Sequence, residues 1–86
     1  MEINELRREI DEIDRELIRL FERRMAVSGE IGAYKRAHDL PVRDAARELE
    51  KLEQIKSLTD EALAPYAGEL FEKLFELSRR LQEDEA

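Results

Sequence analysis

From Ile3 onward, apolar residues recur in alternating steps of three and four, at Ile3, Leu6, Ile10, Ile13, Leu17, Leu20, Val27, Ile31 and Tyr34, and no proline interrupts the run before Pro41. That spacing is an inward seam of heptad type, sustained for about five heptads. It predicts a single helix from about Ile3 to about Ala37. At ~1.5 Å per residue such a helix is on the order of 50 Å long. The remaining fifty or so residues cannot cover a rod of that length within one compact globule, so the helix is expected to reach across into another subunit. Eighty-six residues allow one domain, 1–86, and only a small core. With 42% of residues apolar and 43% charged, the chain is unusually polar for a domain that folds alone.

Two shorter helices follow. The segment His38–Val42 breaks the first, because Pro41 lacks a backbone donor and biases Leu40 away from helical angles. Asp44 is a good N-cap for a second helix from about Ala45 to about Ala62, with Leu49, Leu52, Ile55 and Leu58 on its apolar face. Pro65 suits the first turn of a third helix, expected to continue to about Gln82. Its stripe is Leu70, Leu74, Leu77 and Leu81, with Phe71, Phe75, Ser78 and Gln82 beside it, and the tail from Glu83 is expected to fray. The fold class is therefore all-α, with three helices per chain.

Composition narrows the functions. A net charge of −7 argues against a nucleic-acid surface, whose affinity rests on positive charge. Any anionic ligand must be held by a local cluster of cations working against the overall field. The chain has no cysteine, so disulfides and thiolate metal sites are unavailable, and a reducing, cytoplasmic compartment is compatible with that. The start, Met1 to Glu5, has neither the basic opening nor the apolar run of a signal peptide. No apolar stretch approaches the length that spans a bilayer, so no membrane association is expected.

The informative residues are polar ones in apolar positions. Arg24 falls on the seam between Leu20 and Val27. A buried guanidinium without a partner is costly, so Arg24 needs an anion, either a protein carboxylate or a ligand. Lys35, eleven residues on, returns to nearly the same face at a rise of ~16 Å, and two long cationic side chains so placed can lean onto a small dianion between them. Arg7 lies seventeen residues before Arg24, a rise of ~25 Å, and can join the same pocket only from a second subunit. Asp44, Arg47 and Glu48 share one face at the start of the second helix, which is equally consistent with an N-cap and a surface ion pair. Ser78 and Gln82 carry the Phe71–Phe75 stripe into polar territory, where fraying of a helix end is the plain alternative. His38 sits by the loop and gives no sign of a catalytic role. Gly29 and Gly32 lie inside a helix, where close contact with another helix is the expected reason. Glu50-Lys51 and Arg79-Arg80 read as solvated charge.

Together these residues resemble a family. The segment Leu6-Arg7-Arg8-Glu9-Ile10-Asp11-Glu12-Ile13-Asp14-Arg15-Glu16-Leu17 is similar to the opening of the all-helical, type II chorismate mutases. So are Arg24-Met25 followed by Ile31-Gly32-Ala33-Tyr34-Lys35, and Pro41-Val42-Arg43-Asp44 followed by Arg47-Glu48. The resemblance covers essentially the whole chain. It implies an intertwined six-helix homodimer, free-standing in form, that rearranges chorismate to prephenate in phenylalanine and tyrosine biosynthesis with no cofactor and no metal. It implies that Arg7 is donated by the partner subunit to a substrate carboxylate and that Arg24 binds the other end of the dianion. Lys35 would reach a carboxylate and the ether oxygen. Asp44 and Glu48 would lie near the ring hydroxyl with Arg47 beside them, while Ser78 and Gln82 would form a third-helix pair whose glutamine donates to the ether oxygen. The resemblance makes Lys35, Gln82 and Arg24 the catalytic set.

Three other readings compete. An isochorismate–pyruvate lyase shares the fold and a similar cationic pocket, although Asp44 and Glu48 stand as in the mutases. A non-catalytic regulatory domain of a shikimate-pathway complex gives no use for the full set of site residues. A plain helical dimerisation module explains the seam but not Arg24 within it.

Overall fold

The structure is a computed structural model that describes residues 2–85. Helix α1 spans Ile3–Ala37, α2 spans Ala45–Leu58, a 3-10 turn covers Glu61–Leu63, and α3 spans Ala64–Asp84. The described residues contain no strand, so the chain is all-α with three helices. None of these helices is long and apolar enough to cross a membrane.

The long helix occupies the span its seam predicts. At its start the Glu2 side chain accepts from the Asn4 N–H at 3.3 Å. At its end the chain folds back on itself. The Leu40 N–H reaches the Lys35 carbonyl at 2.8 Å and the Asp39 N–H reaches that of Arg36 at 3.4 Å. Asp39 takes a positive φ of 53°, a left-handed conformation that Asp and Asn tolerate better than most residues. These are the paired reverse bonds of a Schellman ending, with Pro41 just beyond to prevent continuation. Asp44 then caps α2, accepting from the Arg47 N–H at 3.0 Å.

Two boundaries differ from the sequence expectation. Helix α2 stops at Leu58, not Ala62, since Thr59 turns to an extended backbone (φ −113°, ψ 167°). A helix through Ala62 would leave almost no chain in which to reverse direction before Pro65. Thr and Asp also compete with helical hydrogen bonding through their own side chains, so Thr59-Asp60 is where the break falls. At the other end, Glu83 and Asp84 remain helical instead of fraying. The last turn is held by the Glu85 N–H on the Leu81 carbonyl at 3.1 Å and by Arg36 Nη1 on the Gln82 carbonyl at 3.2 Å. Ala86 lies outside the described residues.

Helix α3 is the element on which the other two pack. Its contacts pair Arg24 with Ser78 and Ser28 with Gln82, so it runs parallel to the second half of α1. Glu48 meets Arg79 and Lys56 meets Gly68, so α2 runs antiparallel to it. This arrangement buries little. Phe75 is the one large apolar side chain classed as buried among the described residues, and no side chain is fully buried. The radius of gyration is 15.9 Å, against about 12 Å for a compact domain of this length. The surface is 6972 Å², against roughly 5,300 Å² for a folded monomer of 10.1 kDa.

The seam explains why. From Ile3 to Leu20 every residue of α1 is exposed, including Ile10, Ile13 and Leu17 at about half their full area. Past Leu20 the side turned to α3 carries Arg24, Ser28, Gly32 and Lys35, while Val27, Ile31 and Tyr34 stay exposed. The seam was read as one inward stripe through Arg24, and it is two faces. A straight helix drifts about 20° per heptad against a 3.5-residue repeat, which over five heptads moves the stripe well round the rod. Arg24 leaves the apolar stripe and joins a face of small and polar residues.

Gly32 sets how closely α1 and α3 approach. A Cβ there would lie 2.8 Å from Gln82 Cγ and 3.1 Å from Gln82 Cβ, so close helix contact is its reason. At Gly29 the nearest obstacle is the movable Glu85 carboxylate, at 3.0 Å. The two alanine substitutions should therefore differ in sign. Overpacking at Gly32 costs typically ~1–3 kcal/mol and outweighs a helix-propensity gain of at most ~1 kcal/mol. Gly29→Ala keeps most of the gain. Thermal denaturation should show Gly32→Ala below the wild type and Gly29→Ala at or above it. The reverse order would mean that helix contact does not set the choice of residue.

Candidate active site

Where the three helices converge, Lys35 from α1, Asp44, Arg47 and Glu48 from the start of α2, and Ser78 and Gln82 from α3 line one cleft of about 100 Å³. Phe75, Val42 and Arg79 complete its wall. Arg24 stands at its edge, donating from Nη1 to Ser78 Oγ at 2.8 Å, with its guanidinium 5.8 Å from the centre of the Phe75 ring. Seven of the eight residues singled out from the sequence are thus brought together. Arg7 is not, for it lies on the bare first half of α1.

The charges in the cleft are unevenly matched. Arg24 is half-buried, and desolvation pulls its pKa below the ordinary guanidinium value, although an arginine remains a cation. No carboxylate of the described residues comes within 4.0 Å of it. Lys35 is also without an acidic partner among the described residues, and its Nζ donates to the Val42 carbonyl at 2.6 Å. That bond ties the site to the loop after α1, whose course is set by the turn at Asp39. Glu48, by contrast, is neutralised by Arg79, whose Nη1 lies 2.6 Å from both carboxylate oxygens. Both side chains are less than a quarter exposed.

Arg79 was read from the sequence as solvated charge, and that reading is corrected. On α3 it sits one residue beyond Ser78, on the edge that faces α2. The missing signal was long-range, since Glu48 lies thirty-one residues away and on another helix. At the start of α2 the plainer expectation, an N-cap and an exposed ion pair, is what Asp44 and Arg47 show. Asp44 caps the helix, and Arg47 reaches outward to Glu50 at 3.6 Å, an exposed pair of little energetic weight. His38 stacks on Tyr34, ring centres 4.0 Å apart, and takes no part in the cleft.

Gln82 is 5% exposed. Its Nε2 donates to the carbonyl and the hydroxyl of Ser28, each at 3.1 Å, and its Oε1 is buried without a partner. Beside the cleft a second hollow of about 320 Å³ opens between α2 and α3, over Leu49, Leu52 and Phe75. The Glu48–Arg79 pair divides the two.

Fold and site together define an all-helical protein with a small cationic cleft, suited to a compact anion held by at least two unpaired side chains. Comparison with known proteins agrees. The profile of the family described as chorismate mutase type II matches residues 6–83, and the chain belongs to that family. It is 42% identical over 60 residues to a bifunctional chorismate mutase/prephenate dehydratase of Aquifex aeolicus, covering 70% of this chain and 17% of that protein. It is 41% identical over 51 residues to the T-protein of Haemophilus influenzae, covering 59% of this chain and 14% of that one. The chain thus spans less than a fifth of the length of these curated relatives. A conserved hypothetical protein from Pyrococcus furiosus shares the structure with a TM-score of 0.78 and 35% identity, over 93% of each chain.

Proposed function

We propose that this chain catalyses the [3,3] rearrangement of chorismate to prephenate, and that it does so as a homodimer. The observation that carries the reading is the pair Arg24 and Lys35, two cations on one face of α1, Lys35 lining the cleft and Arg24 bonded to the Ser78 of its wall, with no carboxylate partner among the described residues. A half-buried guanidinium without a counter-charge is a standing cost that a bound anion removes. Glu48 does not cancel it, because Arg79 already holds that carboxylate.

The reaction is intramolecular and needs neither a nucleophile nor an obligatory proton transfer. The protein must hold a flexible dianion in its chair-like reactive conformer, and cations at both carboxylates do so. Arg24 and Lys35 supply the clamp from one subunit, and Arg7 of the partner subunit supplies it from the other. Negative charge that grows on the breaking ether oxygen is met by two donors, Lys35 and Gln82. Asp44 and Glu48 face the ring hydroxyl as acceptors, with Arg47 beside them, and Ser78 holds Arg24 in place.

Area and apolar character support dimerisation. The chain exposes about 1,700 Å² more than a monomer of its mass, and obligate homodimers bury surfaces on that scale per subunit. The bare stripe Ile3, Leu6, Ile10, Ile13 and Leu17 is the apolar half of such an interface.

The test is to follow the loss of chorismate by ultraviolet absorbance with purified protein and no additive, and to identify the product as prephenate. A chorismate-like dianion should also raise the melting temperature. Ligand at a hundred times its Kd stabilises the folded state by ~2.7 kcal/mol, on the order of 10 °C for a domain of this size. Chorismate decay at the uncatalysed rate, with no thermal shift, would exclude the assignment, and release of pyruvate from isochorismate would replace it with a lyase.

A further inference from the structure

The Gln82 carboxamide has one end satisfied and the other orphaned. Its nitrogen is turned away from the cleft onto Ser28, while Oε1 is buried with nothing to accept from. Buried side-chain polar atoms nearly always have a partner, so a lone acceptor beside a ligand cleft needs a reason. Ser28 is itself 6% exposed and offers two oxygens of different kinds. Its carbonyl can only accept a hydrogen bond, whereas its hydroxyl can accept or donate. A half-turn of the amide about its last bond would put Oε1 against the Ser28 hydroxyl, which can donate to it, and against the Ser28 carbonyl, which cannot, so the turned amide needs both the hydroxyl and a ligand acceptor to hold it. Nε2 would then take the place Oε1 now holds, where no protein donor reaches, and bring a donor to it. Gly32, one turn along α1, keeps the amide stem close enough for Ser28 to reach it in either orientation.

We propose that Ser28 is a positioning residue whose hydroxyl reverses from acceptor to donor when ligand enters, so that the Gln82 amide turns and donates to a ligand oxygen. The inference rests on the reading of the cleft as a chorismate site, where the incoming group at Gln82 is an ether oxygen and must be met by a donor. In the unliganded chain the Ser28 carbonyl holds the amide the other way. The hydroxyl is the group that keeps both orientations bonded.

Ser28→Ala removes the hydroxyl and leaves the carbonyl, which fixes Nε2 on α1 and presents an acceptor to the ether oxygen. Turnover should fall about tenfold or more, since a donor to developing negative charge is lost, while KM changes little. Alanine is the better helix former, so α1 should stay intact by circular dichroism. Ser28→Thr keeps the hydroxyl and should recover most of the rate, a rescue that a purely packing role would not predict. The second measurement is the side-chain amide signal of Gln82 in a ¹⁵N-labelled sample titrated with prephenate. Its two proton resonances should shift strongly in the wild type and hardly at all in Ser28→Ala. Wild-type kcat in Ser28→Ala, or a Gln82 signal indifferent to prephenate in the wild type, overturns the proposal. Failure of the wild type to consume chorismate would sink the functional reading instead, and the two failures are told apart because the amide titration does not depend on turnover.

Discussion

Replacing Lys35 by alanine should lower kcat by about a hundred- to a thousandfold, and replacing Gln82 by alanine should do much the same, with the helix content of both variants unchanged. Each is assigned to the breaking ether oxygen, and the loss of one donor to a developing oxyanion costs ~3–4 kcal/mol of transition-state stabilisation. The structural cost of either change is smaller. Lys35 gives up one partly buried hydrogen bond to the Val42 carbonyl, worth about 1 kcal/mol net. Gln82→Ala removes two bonds to Ser28 but also removes the orphaned Oε1, so the losses partly offset. Circular dichroism separates the two effects, because a drop in rate with helicity intact locates the damage in the chemistry. Arg24→Ala should behave differently and raise KM as well as lower kcat, since a carboxylate clamp acts on ground and transition states alike. Turnover close to normal in both the Lys35 and Gln82 variants would dissolve the site as drawn.

What could be read without coordinates follows from the range over which each signal acts. The span of α1 was legible because Pro41 and the apolar repeat are both local signals. The cap at Asp44 and the proline start of α3 were legible for the same reason. Arg24 stood out as a charge within an apolar repeat, and the structure sets it against Ser78 and Phe75. The geometry that makes it special was misread, because a seven-residue count assumes a supercoil and this helix turns its face gradually along its length. The Glu48–Arg79 pair could not be read at all. Nothing on either helix marks Arg79 as different from its neighbour Arg80 until α2 is folded back against α3. Ser28 was hidden for a related reason, as a lone serine in a helix signals nothing until Gln82 comes to rest on it. The ends of α2 and α3 were misjudged because they depend on reversal of the chain and on Arg36 reaching the last turn, both tertiary effects.

The sharpest test of the shared site mixes two inactive proteins. If Arg7 serves the partner's cleft, Arg7→Ala and Lys35→Ala homodimers each contain two damaged sites, but a hybrid of the two contains one site with both residues intact and one with neither. Mixed in equal amounts, unfolded and refolded together, half of the dimers should be hybrids, so the mixture should regain about a quarter of wild-type activity from almost none. No arrangement in which Arg7 and Lys35 act within one chain restores activity in this way. The reason lies in the rise of the helix. Arg7 lies ~25 Å from Arg24 along a straight rod, and no metabolite bridges that distance within one subunit. The same bare stripe should hold the hybrid together. Ile13→Glu, placed where the seam is about half exposed in one protomer, should abolish the hybrid and the wild-type dimer alike, as read by sedimentation. It should also lower thermal stability steeply, because a single protomer buries Phe75 and little else among its large apolar side chains. Recovery of activity on mixing, lost again when Ile13→Glu is added to both partners, would tie the catalytic site to the interface. Mixing without recovery, in dimers shown to exchange subunits, would place Arg7 outside the site.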